Sequence, residues 1–150
     1  MEMSYQEKSI TGSLIAMLLV YGYYFAAVLR HLGEPELVGS TLGRLILAVI
    51  VLVVIEIIYH IALSAAAKPE KDERDVIIEL KAYRNAYFAY GAGAFFVVAC
   101  VIAAGLMRDS AATRIIATPF LLVNFVLLFM VLAELVKLVS QLRYYSRGVR

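Results

Sequence analysis

Cysteine, histidine and charge are the scarce components of this 150-residue chain, and each scarcity removes a class of chemistry. The lone thiol, Cys100, has no partner for a disulfide within the chain and cannot found a zinc site built on paired cysteines. The two histidines, His31 and His60, fall at opposite ends of the apolar stretches described below, so they cannot ligate one haem iron between them. Only 17% of residues are charged and the net charge is +2, which gives no basis for nucleic-acid binding. Hydrolase, kinase and dinucleotide fingerprints are missing too. Gly91, Ala92 and Gly93 sit inside an apolar run with no strand ahead of them. No catalytic residue, cofactor or metal is expected, and no enzyme activity has a positive warrant.

What the chain has in abundance is apolar sequence, with 63% hydrophobic residues and a mean hydropathy of +0.83. A soluble domain of this size could not cover so much apolar surface with so few charges. A bilayer core about 30 Å thick needs roughly 20 helical residues at about 1.5 Å each. Four stretches meet that requirement, and the spans are placed at about 9–31, 43–67, 85–107 and 115–140. The uncharged run at 9–29 is too long for the apolar core of a cleaved signal peptide, and Glu2 and Glu7 spoil its basic flank, so it is read as a retained first helix.

Orientation follows from lysine and arginine, which collect in cytoplasmic segments. The N-terminus, the loop at 68–84 and the C-terminal end together hold ten of them, against four on the opposite side. Both termini and that loop are therefore expected in the cytoplasm, in a cytoplasmic (inner) membrane. Tyr21, Tyr23 and Tyr24 then lie near the outer boundary, while Tyr83, Tyr87 and Tyr144 mark the inner one, where amphipathic rings are favoured.

Short outer connections, including the one at 108–114, make neighbouring helices antiparallel. The expected fold is all-α: a single integral membrane domain over 1–150, a transmembrane four-helix up-down-up-down bundle. Small residues four apart mark close helix approach: Gly12 with Ala16, Gly22 with Ala26, Ala89 with Gly93, Ala99 with Ala103. Pro119 suits a first helical turn. In the loop, acids precede bases and Val76, Leu80, Tyr83 and Tyr87 recur at helical steps, which predicts a helix from about Asp72 into the third span. The fourth helix is expected to continue to about Tyr145, so that helices 3 and 4 extend into the cytoplasm. A weak internal repeat relates Glu56 and Ser64 to Glu134 and Ser140, at unequal spacing.

Glu56 is the main anomaly, an ionisable residue somewhat past the midplane of the second span. His60 and Ser64 follow at four-residue intervals on the same helix face, and the three together can line a proton path, an ion site or a cavity. The plain alternative is a protonated Glu56, or one bonded to His60 or to Asn124, that only holds the helices together. Glu56 and His60 supply two metal donors, too few for a stable site. Asn124 is read chiefly as an interhelical hydrogen-bonding group, and Glu134 as the local partner of Lys137 near the inner boundary.

The loop residues Asp72, Glu73, Arg74, Asp75, Glu79, Lys81 and Arg84 form either a solvated helix start or a docking surface for a cytoplasmic partner or lipid headgroups. Here the chain resembles a group of small, uncharacterised prokaryotic membrane proteins in which an Asp-Glu-Arg-Asp/Glu segment precedes a transmembrane helix. The resemblance rests on Asp72 to Asp75, on Ile78, Lys81 and Ala82, and on four spans over nearly the whole chain. Some members of that group look like companions of helix-turn-helix regulators, which implies a membrane sensor or a sequestering partner. Beside the lipid bilayer, the expected partners are a cytoplasmic regulatory protein or a second copy in a homodimer. Two functions compete: a non-enzymatic protein acting by association, and a small proton-coupled transporter or channel using the Glu56 and His60 face.

Overall fold

The computed structural model describes residues 4–30, 38–66, 72–106 and 118–147, and all but four of these are α-helical. In chain order the helices are α1 (Tyr5–Arg30), α2 (Val38–Ala66), α3 (Glu73–Leu106) and α4 (Pro119–Ser146). Each is long and apolar enough to cross a membrane. Among the described residues the chain is thus all-α, with four helices and no strand, as a membrane protein of helical-bundle class requires. His31, Lys68, Lys71 and the connection at 108–114 lie outside the described residues, as do positions 67, 107 and 115–117 at the ends of the expected spans.

Local chemistry sets three helix starts. Ser4 and Glu7 exchange bonds, Ser4 N donating to Glu7 Oε2 at 2.8 Å and Glu7 N to Ser4 Oγ at 3.2 Å. This capping box carries α1 back to Tyr5, ahead of the apolar run. Asp72 and Asp75 repeat the arrangement, with Asp75 N donating to Asp72 Oδ1 at 2.8 Å and Asp72 N to Asp75 Oδ2 at 3.2 Å. The predicted start of α3 is therefore correct, and two acids of the charged segment are occupied in making it. At α4, Leu121 N donates to Thr118 Oγ1 at 3.4 Å, and Pro119 takes the first helical position, where no N–H is needed. α4 ends at Ser146, one residue past the expected point, and Arg143 O accepts from Arg147 N and Ser146 Oγ.

The chain divides into two compact units, Met1–Ala82 with Leu138–Arg150, and Tyr83–Lys137. In the first, α1 and α2 pack as an antiparallel hairpin, for residue numbers fall along α2 as they rise along α1: Ser9 meets His60 and Ser13 meets Glu56. Leu45, Ala48, Leu52, Glu56, Tyr59, His60 and Leu63 form the partly covered stripe of α2, at helical spacing, and the rest of α2 from 43 to 65 is exposed. Gly12 matters at this contact, because the Tyr59 ring occupies the space a Cβ would take. In the same unit Ile78 and Ala82, one turn apart on α3, are fully buried.

The second unit pairs the remaining lengths of α3 and α4, again antiparallel. The Phe129 side chain fills the position of a Cβ on Gly93. Phe96 stacks edge-on against Phe125 at 5.5 Å between centroids and lies tilted against Phe129 at 5.3 Å. Gly12 and Gly93 therefore fulfil the close-approach expectation. Gly22 does not, since nothing lies within 4 Å of its would-be Cβ, and Ala99 is exposed.

Candidate functional site

The site grows from two polar pairs, each four residues apart, on facing helices. α2 contributes Glu56 and His60, and α1 contributes Ser9 and Ser13 at matching levels. Serine is small enough to admit a carboxylate and an imidazole between the helices. Ser13 Oγ donates to Glu56 Oε2 at 2.8 Å, and His60 Nε2 stands 3.0 Å from the same oxygen. Ser13 Oγ is also 3.4 Å from His60 Nε2, and Ser9 Oγ is 3.5 Å from His60 Nδ1. The side chains of His60 and Glu56 are 43% and 27% exposed, so the cluster is open along one edge.

This arrangement tolerates two protonation states of the imidazole. With neutral His60, Nε2–H donates to Glu56 and Nδ1 accepts from the Ser9 hydroxyl. With charged His60, Nδ1–H donates to Ser9 Oγ, which needs only a rotation of the hydroxyl. The same partners therefore serve either state of the ring. Beside it, Tyr59 OH donates to Lys8 O at 2.5 Å across the same interface, and Thr11 Oγ1 is enclosed with no partner among the described residues.

The other expected members separate from this cluster. Ser64 is exposed and its hydroxyl donates to Ile61 O of its own helix at 3.0 Å, one turn beyond the bonded pair. Asn124 belongs to the other unit, where it is buried and donates to Phe120 O at 2.9 Å. Glu134 forms an ion pair with Lys137, as expected, and the Lys137 ammonium also stands 5.0 Å from the centre of the Tyr83 ring. Among the described residues, no group of three His, Cys, Asp or Glu is placed to hold a metal ion.

A second constellation joins the beginning of α3 to the end of α4. Tyr145 OH donates to Asp75 Oδ1 at 2.6 Å, and Arg74 Nη2 donates to Tyr145 O at 3.4 Å. Burial holds the Tyr145 phenol above its ordinary range near 10, and the bond to Asp75 and the charges of Asp75 and Asp72 add to this, while Arg74 opposes it. Glu73 and Arg74 are exposed around this tie, with Glu79 and Lys81 partly covered; Arg84 belongs to the other unit, where it is exposed.

Ser9, Ser13, Tyr59 and Tyr145 are the participants that the sequence did not single out. The available signal was the matching of Ser9 and Ser13 with His60 and Glu56, which an antiparallel hairpin brings to the same level. Compared with protein-family models, curated proteins and solved structures, the chain matches none.

Proposed function

We propose that this is a small polytopic inner-membrane protein of non-enzymatic type, with both termini in the cytoplasm, that acts by association with a cytoplasmic regulatory partner. The observation that carries the reading is the Asp75–Tyr145 bond, reinforced by Arg74. It joins two helix ends that would otherwise fray independently, and so supports a fixed presentation of Glu73, Arg74, Glu79 and Lys81. Asp72 and Asp75 contribute by building the surface, since both are engaged in the helix cap. The resemblance to membrane companions of transcriptional regulators points the same way.

Photo-cross-linking in cells tests this. A photoreactive residue at position 73 is expected to capture one soluble protein, with the adduct lost when Arg74, Glu79 and Lys81 are replaced together, while the same probe at Phe95 captures only lipid. A position 73 probe that yields no protein adduct, or one indifferent to the triple replacement, contradicts the reading. Self-adducts of the chain would instead favour a homo-oligomer.

The Glu56 cluster favours a second reading, a proton-coupled transporter or channel. Its support is the bonded series Glu56, Ser13, His60 and Ser9, which accommodates a proton in either state of the imidazole. Reconstituted vesicles test it: proton-coupled flux must be present in the parent and lost in Glu56→Gln.

A further inference from the structure

The α1–α2 hairpin changes character along its length. Beyond the Glu56 level toward Arg44, the facing side chains are apolar or small, and Ala27 and Ala48 are too short to fill the space between the helices. A cavity of about 380 Å³ results, walled by Leu19, Val20, Leu47 and Val51. That volume lies within the ~300–1,000 Å³ typical of small-molecule sites. Arg44 is the one charged residue in its lining, one turn before Ala48 and on the same face of α2. From Arg44 to Val51 the helix rises about 10 Å, so the guanidinium stands at one end of an apolar trough.

We infer that this trough binds a phospholipid with a net negative headgroup, one acyl chain lying along Leu19, Val20, Leu47 and Val51 and the phosphodiester at Arg44. Charge complementarity selects the occupant. A planar guanidinium matches phosphate oxygens in a two-point contact, and an apolar wall suits the chain. Water is a poor occupant, because the lining offers few polar partners. Tyr23 and Tyr24 border the Arg44 end, and tyrosine is the side chain favoured at the headgroup level of a bilayer. The proposal is independent of the reading given for the Glu73 surface and of the Glu56 cluster.

Native mass spectrometry of the full chain in a nonionic detergent tests it, with phosphatidylglycerol or phosphatidylcholine of identical acyl chains added. The parent is expected to retain phosphatidylglycerol about fivefold more than phosphatidylcholine, the preference one surface arginine supplies. Arg44→Gln is expected to equalise the two lipids, Ala48→Phe to reduce retention of both by filling the trough, and Arg143→Gln to leave the preference intact. Equal retention by the parent overturns the proposal. So does an undiminished preference in Arg44→Gln, unchanged retention in Ala48→Phe, or an equal loss in Arg143→Gln, which would make the effect one of bulk charge.

Discussion

Where α1 meets α2, the contact includes two serines, a carboxylate and an imidazole; where α3 meets α4 within residues 83–137, it includes a glycine and three phenylalanine rings. Magnitudes separate the two. A charged carboxylate near a span centre costs about 2.5–3.5 kcal/mol on insertion scales. Interhelical hydrogen bonds in membranes return about 0.6–2 kcal/mol each. The bonds from Ser13 and His60 therefore roughly offset the cost of Glu56 and leave little net stabilisation. The phenylalanine contact carries no such cost, so its packing stabilises outright. The polar cluster is a poor explanation for the stability of the hairpin, and that is a reason to seek a functional role for it.

The comparison breaks most visibly at the ring contact. Phe129→Ala is expected to cost about 3 kcal/mol, the low end for a packed aromatic, because the ring is only partly buried. Denaturation in mixed micelles would measure it, and a loss under about 1 kcal/mol would erase the distinction. Next in size is His60→Ala, which strips Glu56 of one partner and is expected to lose about 1–2 kcal/mol by the same assay. The double replacement Glu56→Leu with His60→Leu is expected to remain within about 1 kcal/mol of the parent, since it removes cost and bonds together. If the double replacement proved as damaging as Phe129→Ala, the cluster would be structural glue after all.

Tyr145→Phe is expected to lose about 1 kcal/mol or less, because the bond to Asp75 is partly solvated. Its pH dependence has a definite sign. A phenol raised above 10 in the folded chain contributes stability that is fully present below the unfolded value and is lost as alkali passes through the folded one. Neutral pH thus leaves the tie intact, and an alkaline absorbance titration is expected to lose one late-ionising tyrosine in Tyr145→Phe. The smallest effect is at Gly22, where Gly22→Ala meets open space and is expected to change stability by about 1 kcal/mol or less, in the favourable direction for a helix.

Much of the architecture was legible because lipid imposes length and hydropathy on whatever crosses it. The four helices, the start of α3 after Asp72 and the extension of α4 past Lys137 followed from runs of residues and from the order of acids and bases along the chain. Even so, the capping box of Ser4 and Glu7 starts α1 earlier than its apolar run implies. The site was legible only in part. Glu56 and His60 stand out because charge is rare in a span, whereas Ser9 and Ser13 do not, since serine is nearly neutral in hydropathy and acquires a role only when another helix faces it. Ser64 shows the converse: periodicity aligned it with Glu56, but its hydroxyl is satisfied within its own turn.

The proposed orientation puts the charged beginning of α3 on the cytoplasmic side, where a partner can reach it. With Cys100 replaced by alanine and a single cysteine placed at Glu73, a membrane-impermeant maleimide applied to intact cells tests it directly. No labelling is expected until the cells are permeabilised, and then full labelling. Modification of intact cells from outside would contradict it.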